Sequence, residues 1–152
     1  MRTFYLEIIT PKSKIFSADI QQLTVPTMTG EITVLANHAP LITPLVMGEI
    51  RLLDNHNKQK LFSIGKGLLE VSKEKVVLLI ESVLQGHEIS LQKALAAKKR
   101  AVQLLKDPKL KGKQLLDTKT AFRRSLIDLK VARKQSGRRF QPQEQTLTNL
   151  SE

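Results

Sequence analysis

The side chains in this 152-residue chain that could carry chemistry are few and dispersed. His38, His56 and His87 stand singly, with no second histidine at helical spacing and no cysteine anywhere in the sequence. A thiolate nucleophile and a disulfide are therefore ruled out, a metal site would need single residues brought together by the tertiary fold, and the lack of cysteine fits a reducing compartment. No Ser-His-Asp arrangement is recognisable. Gly65-Lys66-Gly67 lacks the spacing of a phosphate loop. The pattern after it is a strand, which offers no helix N-terminus to an anion, so the triplet reads as a bulge or tight turn. A stand-alone enzyme is thus the weakest reading, and what remains is charge. Residues 1–86 carry nine Lys/Arg against eight Asp/Glu, whereas residues 87–152 carry sixteen against six. Lys98, Lys99 and Arg100 have no acidic residue four positions away. Arg123, Arg124, Lys130, Arg133, Lys134, Arg138 and Arg139 have only Asp128 among them. Cations this one-sided are not matched within their own helices, and they point to an acidic partner.

The elements that position these residues divide the chain in two. Short β-branched and aromatic runs closed by Pro, Gly or Asn predict strands over Phe4 to Thr10, Lys14 to Phe16, Asp19 to Val25, Glu31 to Leu35, Leu41 to Leu45, Glu49 to Leu53, Lys60 to Ile64, Leu68 to Val71 and Lys75 to Ile80. Strands at this spacing predict a β-sandwich or barrel over 1–86. Gly86 marks the boundary, and from Glu88 the period lengthens to that of a helix. Leu91, Ala94, Leu95, Ala97, Ala101, Val102 and Leu105 give a first apolar stripe, which stops before Pro108. A basic loop over 109–113 leads to a second helix, starting near Asp117 or slightly earlier. Its stripe is Ala121, Phe122, Leu126, Leu129 and Ala132, and it ends at Ser136-Gly137. The prediction for 87–140 is an antiparallel two-helix hairpin whose small residues let the backbones approach closely. The polar segment 141–152 is expected to be disordered. No apolar run approaches the roughly 18–20 residues that span a bilayer.

Within the β region, Val25 to Glu49 reads VPTMTGEITVLANHAPLITPLVMGE. Its Val-Pro-Thr opening, its Gly-Glu-x-x-x-Leu, its Asn-His-Ala-Pro-Leu and its closing Leu-x-x-Gly stand in the order and spacing of one family. The chain resembles the epsilon subunit of F-type ATP synthases over roughly 3–135, most tightly over 23–50 and 61–82. The loop over 109–113 is long for that family. The resemblance implies a β-sandwich followed by a two-helix hairpin, and a non-catalytic central-stalk (rotor) subunit that couples proton flow to ATP synthesis. It implies gamma, the c-ring and the alpha and beta subunits as partners. It also implies a peripheral position on the cytoplasmic face of a bacterial plasma membrane.

Residue by residue, the resemblance implies that Glu31 faces the c-ring and that His38, Ala39 and Pro40 lie near gamma and the c-ring. It implies that Arg123, Arg124, Lys130, Arg133 and Lys134 meet acidic loops of the catalytic beta subunits when the hairpin extends, acting as a brake on ATP hydrolysis. Some bacterial epsilon subunits hold ATP with Ile/Leu-Asp-x-x-Arg-Ala and two further arginines. Here that stretch reads Ile89-Ser90-Leu91-Gln92-Lys93-Ala94, with Ser90 and Lys93 in place of Asp and Arg. Arg124 matches one later arginine and Asp128 replaces the other. A lysine is a point charge where an arginine forks, and an aspartate repels phosphate. The expectation is no cofactor, with ATP binding no tighter than millimolar. The rival from another class is a nucleic-acid-binding module with a basic helical arm. Against it, the basic half has only Phe122 and Phe140 to stack on bases.

Overall fold

The computed structural model describes residues 2–139, and the predicted tail over 141–152 lies outside them. Nine strands come first: β1 (Phe4–Ile9), β2 (Lys14–Thr27), β3 (Gly30–Leu35), β4 (Leu41–Leu45), β5 (Gly48–Asp54), β6 (Gln59–Ile64), β7 (Gly67–Val71), β8 (Val76–Ile80) and β9 (Val83–Gln85). A 3-10 turn over Gly86–Glu88 leads to α1 (Leu91–Leu105) and α2 (Lys113–Arg139). The fold is a β-sandwich followed by two helices.

Topologically, the pairings β1–β8–β7–β4–β2–β1 close a ring, and β3, β5, β6 and β9 extend from β2. The long strand β2 is what joins the two. Its first half pairs β1 from Phe16↔Ile8 to Ile20↔Phe4, and its second half pairs β3 and β5. A register shift between Ile20 and Gln22 lets the strand bend between these neighbours. The predicted break at Ser17 is absent. Ser17 pairs with Glu7, and its hydroxyl bonds the Tyr5 hydroxyl, so the two predicted strands are one. Nor does Pro26 end the strand, because its pairing with Glu31 is kept and its carbonyl accepts the Val46 N–H at 3.2 Å. Strand β9 was absent from the prediction. Three residues carry too little periodicity to register, and it forms by pairing with β6.

Alternation of inward residues builds the core. Leu6, Ile8, Ile20, Leu23, Val25, Ile50, Phe62, Ile64, Leu69 and Leu78 are fully or almost fully buried. The Phe62 ring meets Phe16 edge to face at 6.0 Å between centroids. Gly67 follows from close approach: a Cβ there would stand 2.4 Å from the Leu79 carbonyl oxygen across the β7–β8 pair.

Strand β6 departs from simple alternation, and the departure shows where the helices sit. Leu61, Phe62, Ser63 and Ile64 are all buried, because the core covers one face and α2 the other. Helix α1 rests on α2. Its buried residues are Ala94 and Ala101, seven apart on one face, and on α2 the small residues Thr118 and Ser125 are buried at the same spacing. Their hydroxyls are satisfied inside α2, by the carbonyls of Gln114 at 2.7 Å and Phe122 at 2.6 Å, so small polar residues can line a close helix contact.

The predicted stripes need correction at their edges. Leu95, Ala97, Ala121 and Leu126 are exposed, since α1 has one helical neighbour and buries only a narrow face. Helix α1 begins at Leu91 rather than Glu88, because Glu88 closes the preceding 3-10 turn by accepting the Gln85 N–H at 3.2 Å. Helix α2 begins at Lys113, four residues before Asp117, after Gly112 turns the chain with φ +63°. It also continues through Ser136-Gly137 to Arg139. One glycine costs a helix only about 1 kcal/mol, too little to stop it alone.

Candidate functional site

Helix α2 is held on the outer face of β5 and β6 by two polar clasps. Glu49 and Ser63 are direct partners across that strand pair, so their side chains stand together on the face that α2 covers. Lys134 places its ammonium 2.9 and 3.0 Å from the two oxygens of Glu49. The Arg51 guanidinium, two residues further along β5, donates to Glu49 at 3.1 Å and forks onto Glu31 at 3.1 and 2.6 Å. The Glu49 side chain is only 3% exposed, whereas that of Glu31 is 50% exposed. Two cations on a carboxylate so enclosed offset its loss of water.

Six residues towards the N-terminus of α2, nearly two helical turns, Asp128 accepts the Ser63 hydroxyl and pairs with Arg124 at 3.3 Å. Arg124 also donates to the Ser82 hydroxyl at 3.0 Å and the Ser63 carbonyl at 3.4 Å. Apolar contact fills in around the clasps through Leu61 and Val131, both buried beside the linker at Gly86. Gly86, predicted as the boundary between the two parts, is buried here with φ outside the left-handed region. A Cβ on it would meet Val131 at 3.3 Å and the Leu61 carbonyl at 3.2 Å, so its smallness lets the linker tuck under α2. Towards its N-terminus α2 leaves an open groove of 870 Å³ over Met28, Val46, Met47, Leu116, Thr120, Arg123 and Ile127.

The Arg51 hydrogen bond holds the Glu31 carboxyl below the usual carboxylate range, with smaller contributions from the charges of Arg51, Lys130 and Lys134. Lys130 and Lys134 belong to the hairpin, so its docking is felt electrostatically at Glu31. A carboxyl whose folded pKa is depressed adds stability above its unfolded pKa, and that stability fades as pH falls through the folded value.

The sequence-predicted residues separate in space. Glu31 opens β3, while His38, Ala39 and Pro40 follow its far end, so a partner touching both sets spans about 13 Å of strand. His38 donates from Nδ1 to the Ala39 carbonyl at 2.8 Å. Asn37 beside it takes φ +63°, which turns the loop against the β7–β8 connection over residues 72–75. Of the five hairpin cations, Arg124 and Lys134 are engaged with the sandwich, whereas Arg123, Lys130 and Arg133 are exposed and make no ion pair among the described residues.

The residues of the degenerate nucleotide stretch are also accounted for locally. Ser90 caps α1 by accepting the Lys93 N–H at 3.3 Å, Lys93 is exposed, and Arg124 faces the sandwich. Sequence reasoning missed the roles of Glu49, Arg51, Ser63 and Asp128. The available signal was Glu49, Arg51 and Ser63 alternating with apolar residues on strands, as outward-facing positions do. Among the described residues, no group of three or more His, Asp or Glu converges on a metal-sized site, and no helix is long and apolar enough to cross a membrane.

Comparison with known proteins gives this geometry a family. The family described as ATP synthase, Delta/Epsilon chain, beta-sandwich domain matches residues 3–86. The ATP synthase epsilon chain of Caldanaerobacter subterraneus subsp. tengcongensis is 33% identical over 133 residues, which cover 88% of this chain and 96% of that one. That of Dehalococcoides mccartyi strain BAV1 is 35% identical over 143 residues, covering 94% and 99%. Among solved structures, a chain of the Euglena gracilis mitochondrial ATP synthase, from the OSCP/F1/c-ring assembly in rotational state 1, superposes with TM-score 0.66. At 18% identity, over 90% of this chain and 81% of that one, this likeness shows the fold. Its sandwich matches the family and its relatives extend through the hairpin, so the chain belongs to the epsilon subunits of ATP synthase.

Proposed function

We propose that this subunit joins gamma to the c-ring in the central stalk and that its hairpin regulates ATP hydrolysis by leaving the sandwich. The observation that carries the regulatory part is the make-up of the docking surface. Two polar clasps, Lys134–Glu49 and Arg124–Asp128–Ser63, hold α2 over a small apolar patch. Polar contacts of this kind exchange readily for water or another partner, so the docked and released forms can lie within a few kcal/mol of each other. The docked form uses two of the five hairpin cations internally. Release would free Arg124 and Lys134 to join Arg123, Lys130 and Arg133 in one patch against acidic loops of the catalytic subunits.

Exposed ion pairs contribute only about 0–1 kcal/mol each, so braking requires several together. In this reading Glu31 meets the c-ring, His38, Ala39 and Pro40 lie near gamma and the c-ring, and the subunit has no catalytic residue or cofactor of its own. ATP is bound no tighter than millimolar: Ser90 is committed to a helix cap, and Asp128 stands beside Arg124. The complex sits on the cytoplasmic face of a bacterial plasma membrane.

The test uses the whole complex. A chain ending at Glu88, and separately the full-length triple variant R123E/K130E/R133E, are assembled with the other subunits and ATP hydrolysis is measured. Both are expected to hydrolyse several-fold faster than the complex with the natural chain. Unchanged hydrolysis in both, with assembly intact, would remove the inhibitory role.

A further inference from the structure

We propose that Glu31, Arg51, Glu49 and Lys134 form a charge chain through which a partner seated at Glu31 loosens the hairpin's hold on the sandwich. The inference rests on the reading above that the hairpin is released in the working complex, and it supplies what would trigger the release.

The four groups alternate in sign along the outer face of β3, β2 and β5 and end on α2. Glu31 takes the fork of Arg51 at 2.6 and 3.1 Å, Arg51 reaches Glu49 at 3.1 Å, and Glu49 holds Lys134 at 2.9 and 3.0 Å. Exposure rises towards both ends. Glu49 in the middle is 3% exposed, while Glu31 and Lys134 are 50% and 38% exposed. The ends are therefore the groups that a partner or water can reach, and the middle is the group that cannot go unpaired.

Arg51 is shared between two carboxylates. With Glu31 in place, part of the guanidinium's charge and both of its terminal nitrogens are drawn towards Glu31, and Glu49 depends more heavily on Lys134. When a cationic or strongly hydrogen-bonding partner group takes Glu31, Arg51 turns wholly to Glu49. Lys134 becomes the second of two cations on a satisfied carboxylate, and its departure then costs less. Losing the Glu31 charge also weakens the longer-range attraction on Lys130 and Lys134. Both effects have the same sign, so occupation of Glu31 favours release. The partner chemistry that fits is a basic or amide-rich polar loop presented next to the β2–β3 turn, where Glu31 pairs with Pro26 and its carboxylate is half exposed.

Thiol labelling of the isolated full-length chain tests this, since the natural chain has no cysteine. Val131 is fully buried against the linker turn, so in V131C the labelling rate follows the population of undocked hairpin. Val25 is fully buried in the sandwich core, so V25C reports global unfolding instead. K134Q should speed labelling of V131C about tenfold or more, as expected for a charged hydrogen bond lost from a partly buried site. E31Q should speed it about threefold while Lys134 is present, and by much less in the K134Q background. V25C should be unaffected by either change. Equal acceleration by E31Q in both backgrounds, or none while Lys134 is present, overturns the chain. No acceleration by K134Q overturns the clasp itself. These rates are read without the complex. If they behave as expected while hairpin truncation leaves hydrolysis unchanged, the chain stands and the inhibitory role falls.

Discussion

Replacing Phe62 with alanine is expected to cost about 3–5 kcal/mol of unfolding free energy, the largest loss foreseen for a single substitution in this chain. The ring is 1% exposed at the centre of the core and meets Phe16 edge to face at 6.0 Å. Alanine would leave a void between the two faces of the sandwich. The neighbours Leu61 and Ser63 point the other way, under α2, and cannot turn inward to fill it. Since domains of this size are held by only about 5–15 kcal/mol, the variant should keep a small margin or none. Urea unfolding followed by circular dichroism would read this as a large drop in midpoint at similar slope. A change below about 1 kcal/mol would mean that the core collapses around the void, and that the account of a close-packed sandwich is wrong.

The second large effect is expected at Glu49. In E49A, Lys134 and Arg51 lose a carboxylate that is 3% exposed and that water does not replace. Breaking a fully buried pair costs about 3–5 kcal/mol. Here Lys134 is 38% and Arg51 26% exposed, and Arg51 keeps Glu31, so about 2 kcal/mol is the appropriate figure after allowance for solvent. The loss should fall on the hairpin rather than on the sandwich core. A double-mutant cycle with K134A isolates the contact, and a coupling of about 1–2 kcal/mol is expected. Coupling near zero would show that Lys134 is equally well off in water, and the hairpin would then be held by its apolar patch alone.

These two residues also mark where the sequence is readable and where it is not. Phe62 lies in a strand that is legible from its apolar run and the turn residues bounding it, although Leu61 beside it, buried under α2, breaks the alternation. The same holds for most of the sandwich, because a local pattern and a local turn fix which face is buried. Glu49 was legible only as the first, outward-facing residue of a strand. Its partner Lys134 lies 85 residues away and Ser63 lies 65 residues from Asp128, and both contacts exist only because α2 settles across β5 and β6. No period or spacing in the sequence encodes that docking.

The helix stripes show a milder version of the same difficulty. Leu95 and Leu126 look like core residues by spacing. The helices meet through their small side chains, Ala94 and Ala101 against an α2 face with Thr118 and Ser125, and the leucines are left at the rim. Ser17 misled in the opposite direction. A polar residue suggested a strand end, whereas pairing to Glu7 carries β2 straight through it.

The hairpin cations gain meaning from this geometry. Read as a linear pattern, Arg123, Arg124, Lys130, Arg133 and Lys134 form one basic patch. In the fold, Arg124 and Lys134 turn inward onto Ser63, Ser82 and Glu49, and the other three face out. The patch is divided while the hairpin is docked and would be whole only after release, as the proposed brake on hydrolysis requires.

The most direct test of the central-stalk assignment is to tag this chain in its own cells, solubilise the membranes gently and identify what co-purifies by mass spectrometry. Recovery of alpha, beta, gamma and c subunits is the predicted result. Recovery of RNA and ribosomal proteins without any of those subunits would contradict it, and would make the basic helical arm a nucleic-acid-binding element instead.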